Sequence, residues 1–564
     1  MHDTTIADLV VARANDENVG LVFGDASWTW AEVVHECAVR AEALRDYLTT
    51  DGRGGDPFHV GVLLDNVPEY VFLLGGAALA GATVVGINPT RRGEELAHDI
   101  RHTDCRAVIT EAAHASLLAG LDLGLDGDGV LTVESEDWTR RCRASAGRVP
   151  TELPGPETLF VLIFTSGSTG APKAVRGTQG RFAAIGARMP FGSDDVLYCP
   201  MPLFHGNALA SNFVPALASG ATIALRRRFS ASEFVDDLRR VGATYFNTVG
   251  RALSYVLASP PSPADRDHRV KFALAPESSP ADAQAFRARF GIPIVGGYGS
   301  SEGAIVITPV RGSRPGALGV PADGADIAVV DPHTGDECPR AEVDENGTVA
   351  NATEAIGEIV RRDPRLVFEG YYKNEEATAA RSRMGWYWSG DLGYRDRDGV
   401  FYFAGRSDDW IRVDGENFAA APIERIIGRH PDVAAVAVYA VPDPVTGDQV
   451  MAALELRPDR QFDAAAFAAF LASQPDLGTK WAPRFLRVVE ALPVTGTDKI
   501  AKLPLRHAQW NLDGDGLWWR PDRELAYRPL TATDVETIAE RFAEHGRTPF
   551  LVPARPNARG DTRT

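Results

Sequence analysis

An apolar run from Leu159 to Phe164 ends in Thr165-Ser166-Gly167-Ser168-Thr169-Gly170-Ala171-Pro172-Lys173. Short, continuous and closed by small polar residues, the run reads as a buried strand. The segment from Thr165 to Lys173 can hold an anion. Glycines let backbone N–H groups come close, the hydroxyls of Thr165, Ser166, Ser168 and Thr169 add donors, and Lys173 adds positive charge. The Walker spacing Gly-x-x-x-x-Gly-Lys-Ser/Thr is absent, so this is a phosphate loop of another kind. The plain alternative is a Ser/Gly-rich surface turn, and the length of the segment with its terminal Pro-Lys weighs against it. Other segments carry chemistry-bearing residues in ordinary settings: His205 within Met201 to Asn207, Glu302 within Tyr298 to Gly303, Asp391 within Ser389 to Gly393, and Lys499 in a Gly/Thr loop with Lys502 close behind. Taken singly, each also fits a structural histidine, a strand-end turn, a turn aspartate or a solvated lysine.

Taken together and in this order, they resemble the adenylate-forming enzymes: acyl-CoA synthetases, firefly-type luciferases and the adenylation domains of peptide synthetases. The resemblance covers about residues 20 to 530. It implies that Thr165 to Gly170 and Lys173 form the phosphate loop, and that His205, in Pro-Leu-Phe-His, lies beside the substrate carboxylate. Tyr298-Gly299-Ser300-Ser301-Glu302 is similar to the family's aromatic-Gly-x-Thr-Glu element. It implies an adenine contact from Tyr298, a hydroxyl near the α-phosphate from Ser301 in place of the usual threonine, and a magnesium carboxylate from Glu302. Ser-Gly-Asp-Leu-Gly places Asp391 on the ribose hydroxyls, where a carboxylate accepts two hydrogen bonds, with Arg406 beside it. Asp408 stands at the hinge position. Gly415 and Glu416 lie in the element that crosses the site, where a glycine leaves room for the pantetheine arm. The resemblance makes Lys499 the expected adenylation lysine, with Lys502 as the fallback.

The resemblance also implies a fold and a reaction. The fold is α/β: a large N-terminal domain of helix-packed sheets over 1–406, a hinge at 407–409, a small mobile α+β lid over 410–530, then a C-terminal helix and tail. ATP, Mg²⁺ and CoA are the expected cosubstrates and metal. An acid would be adenylated and its acyl group passed to CoA. Arg227 to Ser232, Trp410 to Asn417 and Val441 to Pro444 are most similar to actinobacterial fatty-acid–CoA ligases of the kind tied to lipid and steroid side-chain metabolism. One departure stands out. Ala273 to Pro280, ALAPESSP, replaces a glycine-rich adenine loop, so that Glu277 and Ser278 become its nucleotide-facing residues and Pro276 stiffens it. That departure supports a second expectation, a ligase adenylating an aryl acid or nitrite for a non-CoA acceptor such as an amine.

The elements that must carry these residues are legible in patterning. Thr29 and Glu32 have capping-box spacing for a helix to about Leu48. His59 to Leu64 and Thr83 to Ile87 read as buried strands around a helix from Pro68, and this alternation predicts a parallel sheet covered by helices. A helix is expected over Ser232 to Val241, and strands over Ala243 to Val249, Ile294 to Gly297, Val433 to Val441 and Gln449 to Leu456. Leu517 to Leu530 is expected to wrap over a surface, and Thr533 with Glu536 to cap a last helix.

Bulk composition agrees with a multi-domain enzyme. The 564 residues exceed one ordinary core, and 45% hydrophobic with 24% charged residues is the balance of a globular protein. A net charge of −18 argues against nucleic acid or an acidic membrane surface as partner. Cys37, Cys105, Cys142, Cys199 and Cys338 are scattered without C-x-x-C spacing, which suits a reducing cytoplasm and excludes a disulfide framework. Tyr70 to Ile87, the most apolar window, is rich in Gly and Ala and reads as a buried helix and strand, not a membrane span.

Overall fold

Each strand that opens onto the phosphate loop is buried, and the reason is its place in a sheet covered on both faces. A computed structural model describes the chain apart from residues 1–3, 51–57, 126–128, 166–172, 277, 279, 311, 315, 344–348, 364–367, 407–409, 414–415, 446–447, 475–476, 479, 495–499, 512–515, 523, 546, 549–550 and 552–564. The described residues group into two units. One holds Met1–Ile327 and Arg361–Trp388; the other holds Ala328–Val360, Ser389–Thr495 and the C-terminal stretch. The hinge expected at 407–409 lies outside the described residues, and Ala328–Val360 and the start of Ser389–Thr495 group with the second unit rather than the first.

The first unit contains a six-stranded and a seven-stranded sheet. In the six-stranded sheet, His59–Leu63, Thr83–Gly86, Cys105–Thr110 and Leu159–Thr165 run parallel, and only Lys173–Thr178 runs antiparallel, against Leu159–Thr165. In the seven-stranded sheet Val196–Cys199, Thr222–Leu225, Tyr245–Asn247 and Phe272–Leu274 are parallel neighbours or near neighbours. Parallel strands need covering helices on both faces, and their residues read as continuous apolar runs. Helix Pro68–Ala80 is such a cover, with Pro68 opening its first turn and Gly81 closing it at φ 74. It is buried almost throughout, and among the described residues no helix is long and apolar enough to cross a membrane. The helix Trp30–Thr50 starts on the expected box: the Thr29 amide donates to Glu32 at 2.8 Å and the Glu32 amide to Thr29 Oγ1 at 3.2 Å.

These two helices touch through Gly75 and Gly76. A Cβ on Gly76 would stand 2.7 Å from Arg40 Cβ and 2.9 Å from the Cys37 carbonyl oxygen. The glycine pair thus sets how closely the helices approach, and the cluster around them reaches from Ile6 to Ala252.

In the second unit Val433–Pro442, Asp448–Leu456, Phe485–Val489, Gly516–Trp519 and Arg528–Pro529 form a five-stranded sheet. Side chains alternate across it. Val438, Ala452 and Leu454 enter one core with helices Ala420–Ile427 and Ala464–Ala472, while Tyr439, Val441 and Met451 enter another with Ala532–Glu544. Two expectations are corrected here. The stretch from Leu517 does not wrap over a surface but adds strands to this sheet, because Leu517 and Trp518 alternate into the two cores. The last helix is capped by Thr531 and Asp534, not Thr533 and Glu536, and Arg528 grips Asp534 with two contacts of 2.8 Å.

Gly76→Ala gains about 1 kcal/mol of helix propensity but forces the two helices apart, for an expected net loss of about 1–2 kcal/mol. Urea unfolding checks it: a lower midpoint at unchanged slope is expected, and an unchanged or higher midpoint contradicts the packing argument.

Candidate active site

The strands on either side of the expected phosphate loop pair with each other. Thr165 and Lys173 are register partners, and the Thr165 hydroxyl reaches the Lys173 carbonyl oxygen at 3.5 Å. Ser166, Gly167, Ser168, Thr169 and Gly170 lie outside the described residues. After Lys173 the strand runs to Thr178, which caps helix Gln179–Gly186 by accepting from the Arg181 amide. That helix brings Arg181 to the next motif.

Tyr298–Gly299 pairs antiparallel with Val306–Thr308, so Ser300 to Ile305 turn at the tip of a hairpin. Arg181 fixes that tip. Its Nη1 donates to the Glu302 carbonyl oxygen at 2.6 Å and Nη2 to that of Ser301 at 3.4 Å, while Nε lies 3.4 Å from Glu369. Burial pushes Arg181 below the usual arginine range, and the charges of Glu369 and Glu302 oppose it. Glu369 is itself held by the Thr178 hydroxyl at 2.6 Å and amide at 2.9 Å. Gly303, at φ 67, lies against the Arg181 side chain, which a Cβ would approach to 3.2 Å.

The carboxylate of Glu302 is buried and accepts from the Tyr371 hydroxyl at 2.8 Å. Segment 370–372 is brought there by pairing with the strand after the phosphate loop: the Arg176 amide donates to Gly370 O at 3.1 Å and the Tyr372 amide to Ala174 O at 2.8 Å. Lys173 Nζ rests 5.5 Å from the centre of the Tyr371 ring, a cation–π contact. Burial, then the Arg381 charge, pushes Lys173 below the usual lysine range. Burial and the Glu302 charge drive the Tyr371 and Tyr387 phenols upward, which keeps both neutral, and Tyr371 donates to Glu302. Arg381 is moved upward: burial works against its charge, but Tyr371, Tyr387 and Glu302 outweigh that. Ser300 faces the Tyr387 phenol without meeting it at full hydrogen-bond geometry.

His205 joins the same neighbourhood. A Cβ on Gly206 would lie 3.3 Å from Ser301 Oγ and 3.6 Å from Ile163, so the histidine segment, the Ser301 hydroxyl and the phosphate strand converge. His205 Nδ1 accepts from the Asn207 amide at 3.4 Å, and Asn207 accepts from Asn247 at 2.8 Å. Asn66 anchors the preceding turn, accepting from the Leu203 amide at 2.9 Å and donating to Met201 O at 2.8 Å. The turn can lie this close only because strand Thr83–Gly86 ends in glycine: a Gly86 Cβ would stand 2.6 Å from Phe204 O.

The remaining expected residues are carried by other elements. The Ser278 hydroxyl donates to Ala275 O at 2.9 Å, closing the turn between strand Phe272–Leu274 and helix Pro280–Phe290; Glu277 lies outside the described residues. In the second unit Asp391 and Arg406 are register partners across a hairpin. A register shift between Leu392 and Gly393, with Ala404 left over, brings them level. The Asp391 amide donates to Ser389 Oγ at 3.0 Å and the Gly390 amide to Glu358 at 2.7 Å. Asp408, Gly415 and Lys499 lie outside the described residues; Glu416 opens strand Glu416–Ala419. Val494 and Ile500 pair on either side of the Lys499 loop. The fallback, Lys502, sits 2.9 Å from Glu424 in an ion pair.

Sequence reading missed Arg181, Glu369, Tyr371, Arg381 and Tyr387. Tyr387 stands just ahead of Ser389 to Gly393 with no role read for it there, and the other four sit in no motif; Arg181 lies 121 positions from Glu302 and Tyr371 lies 69. At Glu302 the described protein offers magnesium a single carboxylate, which suits an ion that completes its shell with phosphate oxygens and water. Asp65, Glu111 and His114 are close enough to hold a metal, yet Arg227 contacts Asp65 at 3.2 Å and Glu111 at 2.6 Å, and Arg228 contacts Asp65 at 3.0 Å, which marks an ion-pair cluster.

Lys173, Glu302 and the His205 turn thus share one neighbourhood in the first unit. Residues 10–372 match the AMP-binding enzyme family, and residues 422–499 match the AMP-binding enzyme C-terminal domain. The chain therefore belongs to that family, and it is an AMP-forming ligase that adenylates an acid and passes the acyl group to CoA. It is 50% identical over 554 residues to a steroid-22-oyl-CoA synthetase of Rhodococcus jostii, covering 97% of this chain and 99% of that one. It is 43% identical over 522 residues to the medium/long-chain-fatty-acid–CoA ligase FadD17 of Mycobacterium marinum, covering 92% and 98%. Among solved structures, the anthranilate CoA ligase AuaEII in complex with anthranoyl-AMP shares the fold at a TM-score of 0.77 and 23% identity, covering 90% of this chain and 98% of that one.

Gly86→Ala is expected to displace Phe204 and His205 and to slow AMP formation on the order of a hundredfold, as misplacing a positioning group does. Steady-state AMP release checks it, with the melting temperature as control; an unchanged rate separates His205 from the chemistry.

Proposed function

We propose that the acid activated here is a steroid bearing its carboxyl on the side chain, at the position the steroid-22-oyl relative's name gives. The observation that carries this reading is the 50% identity to that relative over nearly the whole of both chains. The ligase would work in the cytoplasm, where its free cysteines stay reduced. A second reading, a medium- or long-chain fatty acid, is favoured by the 43% identity to the fatty-acid ligase.

The residue roles follow the chemistry. The substrate carboxylate attacks the α-phosphorus of ATP, the bond to the β-phosphate oxygen breaks, and acyl-AMP and pyrophosphate result. Two anions must approach in line, so the work is screening and positioning rather than base catalysis. Thr165 to Gly170 and Lys173 would hold the phosphates, Tyr298 the adenine, Asp391 and Arg406 the ribose, and His205 the entering carboxylate. Glu302 would hold Mg²⁺, whose chemistry is to neutralise charge on the phosphates. Lys499 would screen the α-phosphate during adenylation. The CoA thiol then attacks the acyl carbon, loses its proton, and AMP leaves. That step needs another surface, which would be presented by a turn of the C-terminal domain about Asp408 with pantetheine passing Gly415 and Glu416.

AMP release should be measured with a steroid 22-oate, medium- and long-chain fatty acids, aryl acids and nitrite, each with and without CoA. Release requiring the steroid acid and CoA is expected. Preference for a fatty acid favours the second reading, and release with an aryl acid or nitrite that ignores CoA replaces both with a ligase for another acceptor. Lys499→Ala should abolish adenylate formation yet spare thioester formation from supplied acyl-AMP; equal loss in both half-reactions contradicts its assignment.

A further inference from the structure

The hydrogen-bond directions around Glu302 are settled by what each group can do. Arginine only donates and a phenol both donates and accepts. A carboxylate only accepts, and Arg381 Nη1 donates elsewhere, to the Trp388 carbonyl oxygen at 3.4 Å. The Tyr371 hydrogen is then committed to Glu302 Oε1, 2.8 Å away. Arg181 holds the same residue from behind, through its carbonyl oxygen at 2.6 Å. Glu302 is thus pinned at the main chain and at one carboxylate oxygen, and Oε2 is the oxygen Tyr371 leaves over. The acidic cluster of Asp65, Glu111 and His114 is engaged by arginines elsewhere and adds nothing here.

We infer that Tyr371 is a positioning residue that holds Glu302 as a one-oxygen ligand, so that the site takes its metal only together with nucleotide phosphates. The inference rests on the reading of Glu302 as the metal carboxylate. One oxygen is too few for an ion that demands a near-octahedral shell at short distances. With a triphosphate present, that oxygen adds one oriented contact, and its orientation is set by the Tyr371 hydroxyl. A freely rotating Glu302 would spend entropy on each binding event, and its lost preorganisation would appear in metal affinity before it appeared in fold stability.

The test uses Mn²⁺ as probe on the full chain, with free Mn²⁺ read by electron paramagnetic resonance, with and without a non-hydrolysable ATP analogue. Wild-type protein is expected to capture Mn²⁺ only when the analogue is present. Tyr371→Phe keeps the ring under Lys173 and removes only the hydroxyl. It should weaken Mn²⁺ in the ternary complex about tenfold, the value of one hydrogen bond to a charged group, with analogue affinity in EDTA unchanged. Mn²⁺ capture by the wild type without nucleotide, or no shift in Tyr371→Phe, overturns the inference. Glu302→Gln separates the two readings: if it leaves Mn²⁺ binding intact, Glu302 is not the metal carboxylate, and if it abolishes binding while Tyr371→Phe does nothing, only the positioning role falls.

Discussion

The buried guanidinium of Arg181 is what the arrangement around Glu302 depends on. It sits between a carboxylate, Glu369, and two main-chain carbonyls, those of Ser301 and Glu302. A charge taken out of water must be paired or fully hydrogen-bonded, and arginine's fixed fork suits several acceptors at once. Because Arg181 starts from the helix that comes after the phosphate-loop hairpin, its hold ties that hairpin to the Glu302 turn. Thr178 completes the tie by capping the helix and binding Glu369 together.

Around that tie, unlike charges stand in a small buried volume. Lys173, Arg381 and Arg181 face Glu302, Glu369 and the two phenols of Tyr371 and Tyr387. A site that must receive a triphosphate, a metal and a carboxylate needs fixed dipoles and charges in place beforehand, since reorganising them during the reaction would raise the barrier. The Tyr371 phenol, driven upward by burial, serves as a donor that does not ionise. The arginines serve as cations that do not lose their protons.

Much of the fold was legible because its signals are local. Buried runs such as His59 to Leu64 and Val433 to Val441 announce strands, Pro68 and Gly81 bracket a helix, and Thr29 with Glu32 shows its start. Thr165 to Lys173, Ser301-Glu302 and Asp391 stand out in the sequence because each segment concentrates chemistry-bearing side chains in a few consecutive residues. What was not legible is pairwise and distant. Nothing near Tyr371 says that it meets a carboxylate 69 positions earlier, and no periodicity marks Arg181 as a structural cation rather than a surface one. The last helix shows a subtler limit: two threonines and two acids offer overlapping boxes, and Arg528, by gripping Asp534, selects the earlier one.

The hairpin that sets Asp391 opposite Arg406 does so through one unpaired residue, Ala404. Without that extra residue the ladder would set Asp391 against Gly405, and Arg406 would fall one place out of register. The pair is therefore specified by counting as much as by identity. Residues along these strands can be exchanged for others of similar shape, whereas a single-residue insertion or deletion between Asp391 and Arg406 would separate them. Among descendants of this sequence, the spacing in that hairpin should be more sharply preserved than the side chains that fill it.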